Sequence, residues 1–129
     1  MTNRKQTFVI FGKLPSLNEY IRAERSGYHA ANRMKHNYQN VIECDIRRFK
    51  IKPVNCPIRI IYRFYEENTR RDKDNISSIA HKFIQDALVN SGIIQNDGWK
   101  QIDSYLDYFY VDSQNPRIEV TLCPVRTKK

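Results

Sequence analysis

The chain is poor in glycine and cysteine, with four and three among 129 residues. No run of about 18 apolar residues occurs, so a membrane-spanning helix is not expected. The first residues, Met1-Thr2-Asn3-Arg4-Lys5, lack the apolar stretch of a secretory signal. Cys44, Cys56 and Cys123 are far apart and odd in number, without a Cys-x-x-Cys spacing, and His29, His36 and His81 complete no zinc pattern. They read as reduced thiols, which implies a cytoplasmic protein with no membrane partner. Acid is scarce too: 14 Asp and Glu stand against 22 Lys and Arg, a net charge of +8. That surplus suits a polyanionic partner, nucleic acid before a membrane surface. A calcium loop counted from Asp72 would need glycine at its sixth position and glutamate at its twelfth. Ser77 and Phe83 stand there, and calcium sensing is excluded.

Eight Tyr and six Phe, within a hydrophobic content of 40%, are enough for a core, and the length fits one domain over residues 1–129 with a basic tail at 126–129. Residues 6–12 read as a short apolar strand ended by Gly12. A polar and aromatic loop is expected over 13–29. Its Lys13, Asn18, Tyr20, Arg22 and Arg25 suit phosphate contacts or stacking on an unpaired base, unless the segment is only a solvated connection. Over 31–50, Met34, Tyr38, Val41, Ile42, Ile46 and Phe49 form a helical stripe opposite Arg33, Lys35, His36, Arg47 and Arg48. Residues 57–65 alternate, with Ile58, Ile60, Tyr62 and Phe64 on one face of a strand. A second helix over 74–90 buries Ile76, Ile79, Phe83, Ala87 and Leu88, and lines Asp74, Ser78, Lys82 and Asp86 along its polar face. Ser91-Gly92 ends it. Strands over 101–111 and 116–125 follow, with a hairpin at 113–116 between them. The class expected is α+β: one domain, a mixed sheet of about four strands, and two main helices packed against it.

The chemistry gathers at Arg70-Arg71-Asp72-Lys73-Asp74-Asn75, with Asn96-Asp97-Gly98-Trp99 as its companion. Two carboxylates one residue apart at the mouth of a helix have a bland reading, an acidic N-cap made by Asp74 or Asn75. The sharper reading is a divalent-metal site. Mg²⁺ takes hard oxygen ligands and keeps several waters, so two or three carboxylates suffice, while Arg70, Arg71 and Lys73 hold the backbone of DNA.

At these residues the chain resembles the RusA-type Holliday-junction resolvases. The resemblance rests on Arg71-Asp72-Lys73-Asp74-Asn75 opening a helix, Lys82, Asp86-Ala87-Leu88, then Gly92 and Asp97. Pro15-Ser16-Leu17-Asn18-Glu19-Tyr20 also looks like that family's Pro-Ser-x-Asn stretch. What the resemblance implies is a RusA-like fold and a homodimeric endodeoxyribonuclease. Such an enzyme depends on Mg²⁺, with Mn²⁺ as an alternative, and resolves four-way DNA junctions by paired nicks. Its setting would be recombination and repair, as in enzymes encoded by phages or prophages. Carried over, Asp72, Asp74 and Asp97 are the metal ligands and Lys82 the catalytic lysine.

One departure stands out. Ser78 occupies the position four residues after Asp74 where the family pattern has its lysine, and Lys82 lies a helical turn further, about 6 Å along the axis. Either the helix starts later and returns Lys82 to the site, or the role moves to Lys73. Asp86 reads as a structural salt-bridge residue, Asp103 and Asp107 as surface residues, and Trp99 as a core plug.

Two other functions remain open on sequence. One is a non-catalytic basic DNA-binding protein whose carboxylates only cap a helix. The other is a metal nuclease acting on other branched substrates such as flaps or forks. Against the first, a pure binder gains nothing from negative charge where the phosphates must sit.

Overall fold

The structure, a computed structural model, describes residues 3–125; the basic tail at 126–129 lies outside the described residues. The element order is β1 (Gln6–Phe11), α1 (Leu17–Ser26), α2 (Tyr28–Arg48), β2 (Ile58–Glu66), α3 (Lys73–Asn90), β3 (Ile102–Val111) and β4 (Arg117–Pro124). This is the expected α+β domain, with a third, shorter helix added.

The strands form one mixed sheet in the order β1-β4-β2-β3. β4 runs antiparallel to both β1 and β2, whereas β2 and β3 are parallel. Parallel neighbours need a crossover, and α3 supplies it. The core holds Phe8 and Ile10 from β1, Ile58, Ile60, Tyr62 and Phe64 from β2, and Ile118, Val120 and Leu122 from β4, all on one face. Ile42 and Ile46 of α2 and Ile76, Ala80, Phe83, Ile84 and Leu88 of α3 close over that face. Phe83 is the meeting point of the helices, with Tyr20 of α1 edge-on at 5.8 Å and Tyr38 of α2 at 6.5 Å.

Two sequence expectations are corrected here. The stretch 13–29 is not a long loop, because Leu17–Ser26 forms α1. Its start is a capping box: Ser16 Oγ accepts from the Glu19 amide, and Glu19 Oε1 accepts from the Ser16 amide. The Ser-x-x-Glu signal stands openly in the sequence. Gly27, with φ of 142°, separates α1 from α2 in a backbone conformation that favours glycine. Nor do β3 and β4 form a hairpin. Their connecting residues cross the end of β2, where the Asp112 amide donates to the Glu66 carbonyl at 2.7 Å, and β2 lies between the two strands. A turn signature specifies reversal of direction, not which strand becomes the neighbour.

The crossover also fixes distances. The Gln101 carbonyl accepts from the Ile58 amide at the start of β2, while Val111 is the register partner of Glu66 at its end. Whatever precedes β3 therefore lies a full strand, about 30 Å, from whatever follows β2.

Candidate active site

β2 ends on an acid. Its inward positions Ile58, Ile60, Tyr62 and Phe64 continue to Glu66, which is buried. A buried carboxylate needs partners, and Arg71 supplies them: its Nε and Nη2 donate to Oε1 and Oε2 of Glu66, both at 2.9 Å. The same guanidinium donates from Nη1 to the Leu14 carbonyl at 2.9 Å and lies 3.7 Å from Glu19. Lys13 pairs with Glu67 across the same gap, holding the Glu67 carboxyl below the usual range. The acidic loop is thus tied at two points to the segment that leads into α1.

This bracing delivers Asp72 and Asp74 to the mouth of α3. Asp72 occupies the N-cap position in extended conformation, yet its side chain makes no capping bond. Both carboxylates are exposed, and among the described residues neither makes a hydrogen bond or an ion pair. They line one open cleft of about 530 Å³ with Glu66, Asn68, Arg71, Lys73 and Phe109. Lys73 Nζ lies 5.6 Å from the centre of the Phe109 ring. The cap reading is corrected: the N-cap position falls to Asp72 rather than to Asp74 or Asn75, which lie inside the first turn, and no side chain makes the capping bond.

Asp97 stands elsewhere. It lines concavities with Asp86, Lys35 and Asn96, and with Gln85, Trp99 and Tyr105, beyond the C-terminal end of α3. That helix alone is about 27 Å long at 1.5 Å per residue. Among the described residues, no three His, Cys, Asp or Glu side chains are grouped so as to hold a metal ion. Asp72 and Asp74 come together within one chain, and Asp97 does not join them.

Lys82 also stays away. α3 begins at Lys73 rather than later, so Lys82 remains two turns beyond Asp74 and pairs with Asp86 at 3.4 Å. Asp86 takes a second cation, Lys35 of α2, at 2.8 Å, in the salt-bridge role that its sequence suggests. Of the candidate DNA contacts, Arg22, Arg25, Arg70 and Asn18 are exposed. Tyr20 is committed to Phe83, and Arg71 to Glu66. Trp99 is not a core plug; it is 99% exposed.

Sequence reasoning missed three features. Glu66 was legible as an acid on the apolar register of a strand. Phe109 and Val111 on the cleft wall were not, because their placement depends on β3 pairing in parallel with β2. His81 Nε2 lies 2.7 Å from Asp107 Oδ1, with the imidazole 4.6 Å from both the Tyr62 and Tyr105 rings. That contact makes Asp107 a tie between β3 and α3 rather than a free surface residue. Burial pushes the Tyr62 phenol above its ordinary range, and its oxygen accepts from Gln85 at 3.1 Å.

The family model for endodeoxyribonuclease RusA matches residues 12–123. The chain belongs to the RusA family. No curated protein matches it. The matched span contains every element from α1 to β3 and most of β4. RusA-family proteins are endodeoxyribonucleases that resolve Holliday junctions, so this chain is a DNA-cleaving enzyme acting on branched DNA in recombination. RusA nucleases are metal-dependent in general. The donor set fits a hard cation: two exposed carboxylates one residue apart, with neither used as a cap. The described part of the chain has no helix long and apolar enough to cross a membrane.

Proposed function

We propose that this enzyme is a Mg²⁺-dependent homodimeric nuclease that resolves four-way junctions by paired nicks, in recombination and repair, of the kind that phages and prophages carry. One observation carries this reading: Asp72 sits at a helix N-cap without capping, beside Asp74, in a cleft flanked by Arg71 and Lys73. A carboxylate kept out of the bond that its position offers is available for another cation.

Asp72 and Asp74 would hold the ion, which when bound supplies an acidified water and a Lewis acid for the phosphate. Lys73 stands in the same cleft and places positive charge where the phosphate oxygens gain negative charge. The first-turn amides of α3 receive no side-chain cap and add partial positive charge at the same end of the helix. Arg22, Arg25 and Arg70 remain free for backbone contacts, while Arg71 positions the loop. In this account Lys73 rather than Lys82 fills the lysine role, and Asp97 acts as a ligand from a second copy, since it lies at the other end of β2. Mn²⁺, which also takes oxygen ligands in an octahedron, would occupy the same carboxylates.

The test is a four-way junction labelled in turn on each strand. Symmetric nicks on opposing strands after Mg²⁺ addition support the proposal. Cleavage confined to flaps or forks, or none in either Mg²⁺ or Mn²⁺, overturns it.

A further inference from the structure

A buried polar side chain of α2 stands without a partner. Gln39 is 6% exposed, and among the described residues its amide makes no hydrogen bond. Ser16, Asp45, Glu66 and Thr121 are buried to a similar degree, and each has a bonded or ion-paired neighbour. Taking a carboxamide out of water without a replacement bond is costly, so such groups are nearly always satisfied. Neither amide atom of Gln39 is sealed off, and both open on the concavity that the residue lines.

That concavity has a volume of about 460 Å³ and is lined from α2, from α3 and from the turn after α3. Three further carboxamides line it: Asn32 of α2, Asn90 of α3 and Asn96 of the turn. Asn32, His36 and Gln39 share one stripe of α2 by their spacing, as Asp86, Val89 and Asn90 do on α3. We infer that the concavity holds a nucleobase extruded at the branch point of the DNA, one with an exocyclic amino group, whose edge Gln39 reads. The inference rests on the branched-DNA activity given above. It adds a base-reading site at the opposite end of α3 from the Asp72–Asp74 cleft.

The chemistry of the lining selects the occupant. A carboxamide offers a donor beside an acceptor, the arrangement by which Gln and Asn hold an adenine edge. Two carboxylates, Asp86 and Asp97, share the space with one lysine, Lys35, which is already paired with Asp86 at 2.8 Å. A phosphate would meet surplus negative charge there, whereas an amino group can donate to it. Carboxylates accept from the cytosine amino group in the same way. Thymine has no amino group, and its carbonyl oxygens would face those carboxylates. The His36 ring and the apolar Val89 line the same space and suit the face of a base. Extrusion is cheapest where a base is already unpaired, as at a branch point.

The test titrates the full chain, in EDTA, against four-way junctions carrying one unpaired nucleotide at the branch point. That nucleotide is adenine, cytosine, guanine, thymine or an abasic residue. Wild type should bind its preferred amino-bearing base about tenfold more tightly than thymine, within the discrimination of one bidentate pair. Gln39→Leu removes the amide at similar volume and should bring the five affinities within about twofold of one another. Equal affinity of wild type for all five, a preference for thymine, or wild-type discrimination by a folded Gln39→Leu protein overturns the site. If Gln39→Leu does not fold, Asn90→Ala with Asn96→Ala replaces it, since both residues are exposed. Discrimination should shrink in that protein, and its full retention rejects the inference. Nicking of the same junctions in Mg²⁺ is scored separately. Base discrimination without nicking supports the pocket and counts against the resolvase reading, whereas nicking by a wild type blind to the base does the reverse.

Discussion

The Arg71 guanidinium grips both carboxylate oxygens of Glu66 at 2.9 Å and reaches the Leu14 carbonyl at the same distance. Three separate segments, the end of β2, the acidic loop and the approach to α1, therefore share one cation. Placement of Asp72, the very next residue, depends on that knot.

Removing the cation strands a buried carboxylate. Arg71→Ala should lower unfolding free energy by about 3 kcal/mol, as for other broken buried pairs. Arg71→Lys keeps the charge but cannot fork, and should recover only part of that loss. Urea unfolding of the three proteins checks this ordering. Equal stability of Arg71→Ala and wild type would remove the fork from the account.

The two lysines should separate. Lys73 lines the cleft, whereas Lys82 is exposed and bound to Asp86. Lys73→Ala should cut junction cleavage by about a hundredfold, in the range for loss of one charge-stabilising group. Lys82→Ala should cost less than about threefold, since an exposed i,i+4 pair is worth well under 1 kcal/mol. Cleavage rates at saturating protein decide between them.

A pH effect follows from the residue just past β3, at the end of the sheet where Glu66 and Val111 line the cleft. Asp112 accepts from Arg117 Nη1 at 2.8 Å and from the Asn115 and Gln114 amides, and these bonds, the Arg117 one foremost, hold its carboxyl below the ordinary range. A lowered folded value means the stabilisation is complete above the unfolded pKa, about 3.9. It fades as pH falls through the lower folded value. Wild type should therefore melt above Asp112→Asn at pH 7, with the gap closing in strong acid. A constant gap across that range would contradict the assignment.

Much of this architecture is legible in the residues. The alternation Ile58, Ile60, Tyr62, Phe64 marks β2, and the spacing of Ile76, Ile79, Phe83 and Leu88 marks the buried face of α3, because periodicity records which side meets the core. The acidic pair is conspicuous among basic neighbours. Pairing order is not legible: nothing in the turn after β3 says that β4 will pass it and pair with β2. The separation of Asp97 from Asp72 follows from that same parallel crossover, so it is invisible until the sheet is assembled. The departure from the family pattern, Ser78 in place of its lysine with Lys82 one turn further on, is visible. Its consequence is a matter of tertiary structure: α3 starts at Lys73, and Lys82 lies away from the cleft.

The basic residues left free should behave as backbone contacts. Neutralising Arg22, Arg25 or Arg70 singly should weaken junction binding and reduce the slope of log affinity against log salt by about one unit. Binding titrations at several salt concentrations give the slope directly, and an unchanged slope strikes that residue from the interface.

Binding of a four-way junction in EDTA, followed by Mg²⁺ addition, should be compared for wild type and Asp74→Asn. The prediction is equal or tighter binding by the variant, with junction cleavage reduced by at least about a thousandfold, as expected for a metal ligand. If Asp74→Asn still nicks opposing strands at a wild-type rate, the carboxylates at the mouth of α3 are not the catalytic centre.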